Sequence, residues 1–139
     1  MKLNELKIIV SFFILSNVCL ICFSIHLNRE ILEEFSPQLG PEIDLSYREI
    51  TSIDSDTFYG LTNIKELSLS NNQITELNQS IFQGLENLES LSLTSNNLTS
   101  IRSDTFRGLT QLKILNLNLN QIKHLDSGSF IDLINLQYL

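Results

Sequence analysis

The residues of this chain that can do chemistry are few and scattered. His26 and His124 are its only histidines, and they lie in different parts of the sequence. No G-x-S-x-G, H-E-x-x-H or glycine-rich phosphate loop appears, so the local arrangements that build nucleophilic, zinc or phosphoryl-transfer sites are missing. A calcium loop of the D-x-D-x-D-G type is also absent. His124, between Ile122 and Leu125, reads as a solvated side chain. Asp54, Asp56 and Asp104 fall between apolar positions, where a carboxylate caps a turn rather than moves a proton. Cys19 and Cys22 have the spacing of a redox pair, but they sit in a greasy run without strand-helix context and read as two small residues. No catalytic residue, metal ligand or cofactor is therefore expected, and the chain reads as a non-enzyme. What remains is acceptor chemistry. Asn78-Gln79-Ser80 and Asn97-Leu98-Thr99 each match the N-glycosylation triplet. Both asparagines lie between core positions and are expected to be exposed.

Composition narrows the partners. Nine basic residues against sixteen acidic ones give a formal net charge of −7. A phosphate-backbone binder needs a basic stripe, so no nucleic-acid partner is expected. Residues 8–25 carry no charge and follow Lys2 and Lys7. This is the pattern of a secretory signal, with small residues placed for a cut after Ser24. The run also touches the length of a membrane span, so a retained signal anchor is the alternative. The basic flank and the acids Glu30, Glu33 and Glu34 beyond the run send the remainder across the membrane in either case. The expected location is extracellular, secreted or at the cell surface. Residues after 24 contain no cysteine, which excludes a disulfide scaffold there.

The elements that would position any site come from a repeat. Phe58, Phe82, Phe106 and Phe130 stand 24 residues apart. The same step separates Ile53, Leu77, Ile101 and Leu125, and likewise Leu61, Leu85, Leu109 and Leu133. Ile64, Leu88, Leu112 and Leu136 keep it, as do Asn72, Asn96 and Asn120. Leu67-Ser68-Leu69 alternates with period 2, as a strand buried on one face does, whereas a helix would need period 3.6 throughout. Asn72 stands where the chain leaves that strand, and an amide there can satisfy backbone groups that the turn leaves unpaired. One such coil is too small to cover its own apolar side, so the units must stack.

The unit Ile64-x-x-Leu67-x-Leu69-x-x-Asn72-x-Ile74, with Leu77, Phe82 and Leu85 behind it, resembles the leucine-rich repeat family. Its length and late phenylalanine are similar to the extracellular subclass found in Toll-like receptors, Slit and small leucine-rich proteoglycans. The resemblance covers 43–139 and implies an α/β solenoid. Short parallel strands would line a concave face, and irregular or short helical segments would form the convex side. Domain organisation is read as 1–24 signal or anchor, 25–42 flank or cysteine-free cap, and 43–139 repeats. Within the flank, residues 28–35 form either a short amphipathic helix over the first coil or a disordered linker. Arg48 stands where later units have asparagine, which loosens the ladder or marks a capping unit. The chain stops inside a fifth unit, so it is expected to be a piece of a longer protein.

In such a coil the leucines face inward and the residues between them face out on the concave sheet. This places Glu42, Glu66, Ser90, Ile114 and Tyr138 in one column. Asp44, Ser68, Ser92 and Asn116 form a second, and Ser46, Ser70, Thr94 and Asn118 a third. The surface is short-chained and polar, acidic toward Glu42 and apolar toward Ile114, Leu119 and Tyr138. The expected function is non-catalytic binding of a protein ligand, or of a glycan, with Ile114 and Tyr138 as anchors. A transmembrane receptor ectodomain and an extracellular-matrix component are the alternatives. A solvated face that binds nothing, with binding on repeats outside this sequence, is the bland reading of each residue.

Overall fold

The computed structural model describes residues 24–36 and 38–139. The expected signal or anchor run and the Cys19/Cys22 pair lie outside the described residues, apart from its last residues, Ser24 and Ile25. The chain winds as a parallel β-solenoid of about four turns with little helix. The main sheet has the order β2 (Glu42–Asp44), β4 (Glu66–Ser68), β5 (Ser90–Ser92), β7 (Ile114–Asn116). Every pair is parallel and offset by one unit, so Ile43, Leu67, Leu91 and Leu115 meet in register. A further bridge joins Ile114 to Tyr138. The register follows from the sequence. The inward leucine must lie over the leucine of the coil before it, and a slip of one residue would turn it to solvent.

The core is a set of columns. Leu67, Leu69, Ile74, Leu77, Phe82, Leu85 and Leu88 of one unit are all buried, together with their counterparts in the next. The phenylalanines stack face to face, with ring centroids 6.2, 6.1 and 5.9 Å apart and interplanar angles of 18°, 11° and 12°. That separation is within the range in which aromatic pairs attract beyond their burial. The chain behind each ring is a run of turns, the irregular form of the convex segment. Gly84 lies in this run at φ +97, and a Cβ there would meet the Gly60 nitrogen at 2.6 Å. The coils approach too closely for a side chain.

The asparagine ladder closes the opposite corner. Asn72 Nδ2 donates to the carbonyls of Leu45 and Leu69, both at 2.9 Å. Its Oδ1 accepts from the Arg48 and Ile50 amides at 3.0 and 3.1 Å. Asn96 repeats this with Leu69, Leu93 and Ile74. Asn120 does so with Leu93, Leu117 and Leu98. Each amide thus ties its own coil to the preceding one.

Two short parallel sheets run beside these turns: β1 (Ile25–Leu27) with β3 (Ile50–Ile53), and β6 (Ser100–Ile101) with β8 (His124–Leu125). The flank is ordered over its helical stretch. Asn28 caps α1 (Arg29–Phe35), its side chain accepting from the Ile31 amide, and Leu27 and Leu32 are fully buried against the first coil. The linker alternative for 28–35 therefore fails. Arg48 does not merely leave a gap in the ladder. Its guanidinium lies 4.9 Å from the Phe35 ring centroid, a cation–π contact that joins the first coil to α1.

Candidate functional site

The main sheet places the outward columns side by side. Glu66 and Ser68 lie on β4, Ser90 and Ser92 on β5, Ile114 and Asn116 on β7. Ser70, Thr94 and Asn118 follow two residues beyond each strand, and Tyr138 pairs with Ile114. Their short side chains link across the strands. The Ser46 and Ser68 hydroxyls are 2.7 Å apart, as are those of Ser70 and Ser92. Ser68 donates to Ser70 at 3.2 Å and Ser92 to Thr94 at 3.3 Å. The middle of the face is a zigzag of hydroxyls already engaged with one another. Its ends differ from it and from each other. Glu42, Asp44 and Glu66 occupy one end, while Ile114 at 44 % exposure and Tyr138 at 66 % occupy the other.

Two carboxylates are tuned. Hydrogen bonds from the Ser46 hydroxyl and amide hold Asp44 below the ordinary carboxylate range, and the charge of Arg48 assists. Glu89 is held low by Lys113 at 2.6 Å and Lys65 at 3.3 Å, which flank it in neighbouring units. These three residues form a charged column just before the strands. Both lysines are engaged with Glu89, so the acidic end keeps its excess negative charge.

A feature not legible as a motif is a column of left-handed residues in the turn after each strand. Tyr47, Asn71, Ser95 and Leu119 have φ of 58, 55, 55 and 57°. Asparagine suits this conformation, whereas tyrosine and leucine pay for it sterically. The common spacing was the available signal, but the residue types disguised it. A buried column, Thr57, Ile81, Thr105 and Ser129, was also hidden by its polar members. The Thr57 hydroxyl donates to the Leu27 carbonyl and the Ser129 hydroxyl to that of Ile101, which satisfies them inside the core.

His26 is not idle. Its Nδ1 lies 2.6 Å from Ser52 Oγ and its Nε2 2.7 Å from Asp54 Oδ1. Asp54, expected to cap a turn, instead holds this imidazole. The residue types are those of a nucleophilic triad, but their order on the ring is reversed from that template: the carboxylate is on Nε2 and the hydroxyl on Nδ1. The histidine and aspartate side chains are also half-exposed, at 52 % and 46 %. The cluster clasps β1 onto β3. Among the described residues no group of three or more His, Cys, Asp or Glu gathers to hold a metal, and no helix is long and apolar enough to cross a membrane.

Asn78 and Asn97 are both exposed. Asn78 lines an open depression of about 650 Å³ with Asp54, Asp56, Tyr59, Gln83 and Arg102. Asn97 is more constrained, because its own amide donates to Ile74 and its neighbour Leu98 is buried.

A stack of parallel coils with an asparagine ladder and a phenylalanine stack defines a class of protein: a solenoid scaffold that presents a surface. The family model for Leucine rich repeat matches residues 42–98 and 86–139, and the chain belongs to that family. A search of curated proteins returns no match. Among solved structures, a chain of the TLR13-ssRNA13 complex is 33 % identical with a TM-score of 0.55. That match covers 82 % of this chain and 19 % of that one, so the present chain spans under a fifth of its length. A chain of the Drosophila melanogaster SNF/U2A' complex is 26 % identical with a TM-score of 0.50, covering 70 % of this chain and 71 % of that one.

Proposed function

We propose that this chain is a non-catalytic, extracellular leucine-rich repeat module that holds a protein partner on its concave sheet. One observation carries the reading: the outward columns of β4, β5 and β7 form a continuous, solvent-open surface whose composition changes while its backbone does not. Family membership supports protein binding in general. The uncharged run at 8–25 after Lys2 and Lys7 supports export, and the exposed Asn78 and Asn97 are the acceptors it would make available. The neighbours differ in what they assemble with, one being the TLR13-ssRNA13 complex and the other the SNF/U2A' complex. The charge of −7 and the acidic end of the sheet favour a protein over an RNA here. A glycan remains compatible with the hydroxyl-rich centre, but those hydroxyls are already paired with one another.

The test is an array of extracellular protein domains probed with the multivalent chain. Binding abolished by Ser92→Arg and retained by Gln83→Arg, with melting temperatures unchanged, is the expected result. Binding lost with Gln83→Arg alone would move the site to the turns behind Phe82. Expression in secretory cells tests the location. Protein in the medium or on the surface is expected, with a mobility shift on deglycosylation that Asn78→Gln diminishes. Protein retained in the cytosol would refute the extracellular reading.

A further inference from the structure

Two of the largest exposed hydrophobic side chains stand in the most unfavourable backbone positions of the face. Tyr47 and Leu119 are each 77 % exposed, and both hold left-handed φ values. Their equivalents in the intervening units are Asn71 and Ser95, small polar residues that fit the turn. Neither the tyrosine nor the leucine gains burial in return for the strained backbone. Strain maintained at an exposed site points to use by something outside the chain. Each stands at one end of the polarised face. Tyr47 follows Asp44 by three residues, and its amide donates to the Ser70 carbonyl of the next coil. Leu119 follows Ile114, the exposed aliphatic residue of β7.

We propose that this surface binds an extended protein segment carrying a lysine or arginine and, four residues away, a large apolar side chain. The proposal rests on the concave-face reading above and names the partner's chemistry. At the first end the cation pairs with Asp44 and stacks on the Tyr47 ring three residues beyond it, an arrangement aromatic residues and carboxylates favour together. Arg48 acts on Asp44 through its charge, with its guanidinium held over Phe35, and Lys65 is engaged with Glu89. At the second end the apolar side chain covers Leu119, in the same row as Tyr47. The spacing follows from the sheet. The units of Tyr47 and Leu119 are three strand steps apart, about 14 Å at the usual separation of parallel strands. An extended segment advances about 13 Å over four residues, and side chains four apart point the same way. The hydroxyl zigzag between the ends offers nothing charged or bulky, so it excludes little and specifies little.

The experiment uses the labelled full chain and amidated, acetylated five-residue peptides, followed by amide chemical shifts. Lys-Ser-Thr-Ser-Leu is expected to move the amides of Tyr47, Asn71, Ser95 and Leu119. Its affinity should exceed those of Glu-Ser-Thr-Ser-Leu and Lys-Ser-Thr-Ser-Ser by about tenfold, as the loss of a charge pair or an anchor requires. Leu119→Asn separates strain from fold: the variant should melt higher than the parent while binding the first peptide more weakly. Equal affinity for all three peptides on those same amides overturns the proposal and leaves the concave reading standing. No shift with any peptide overturns the proposal alone, and shifts confined to the turns behind the phenylalanines overturn both. A lower melting temperature in Leu119→Asn overturns the argument from strain.

Discussion

The two sides of each coil are built by different means. On the sheet side, backbone hydrogen bonds set the geometry, and the outward residue is free. One register position holds Glu42, Glu66, Ser90, Ile114 and Tyr138 without disturbing the strands. On the side of the phenylalanine stack, side-chain volume sets the geometry. The same residue recurs at 58, 82, 106 and 130, and the coils pass so closely at Gly84 that a methyl group has no room. The difference shows where a solenoid can carry information. Positions held by backbone pairing tolerate any side chain, and those held by packing do not. Side-chain identity therefore varies on the sheet while the stack behind it stays fixed.

The most direct way to break this comparison is to attack the stack. Phe82 touches rings on both sides, so Phe82→Ala leaves a cavity between two coils. It is expected to cost about 3–5 kcal/mol, the range for large aromatic truncations in a core. Chemical denaturation measures it. An equal loss from Ser92→Ala on the sheet would erase the distinction between the two sides. The asparagine corner comes next. Asn96→Leu leaves the amide of Ile74 without its partner, and the Leu69 and Leu93 carbonyls keep only Asn72 and Asn120 as side-chain donors. The expected cost is roughly 1–3 kcal/mol, the penalty for buried polar groups left unpaired. A variant as stable as the parent would mean that water replaces the amide and that the ladder is not a structural tie.

This hierarchy also explains what was legible in the sequence. Columns that pack are columns of like residues, so the leucines, Asn72, Asn96, Asn120 and the phenylalanines announced themselves by repetition. The outward columns were legible by subtraction, because an inward leucine dictates which neighbours face out. The left-handed column was not legible, since Tyr47 and Leu119 occupy it against their own preference. The clasp of His26 on Ser52 and Asp54 spans 26 and 28 residues and depends on a strand pairing, β1 with β3, that occurs once at the end of the stack. The convex strands β6 and β8 were missed for a related reason. They are two residues long, below the length at which alternation can be read.

The smallest effect sharpens the comparison on the sheet side. Glu89 lies between Lys113 and Lys65, and both hydrogen bonds hold its carboxyl below its ordinary value of 4.5. A carboxyl whose folded value is depressed stabilises the fold when ionised. That contribution is present above its unfolded value and is lost as pH falls through the folded one. Asp44, held low by Ser46, acts in the same direction. The Glu89 pair is exposed to solvent, so screening keeps its effect small and sensitive to salt. Glu89→Gln should therefore melt slightly below the parent near neutral pH. The gap should close as pH drops past the ordinary carboxylate range, and also when salt is raised at neutral pH. A gap that persists unchanged at low pH and high salt would show that Glu89 acts through packing. The sheet edge would then obey the same rule as the phenylalanine stack.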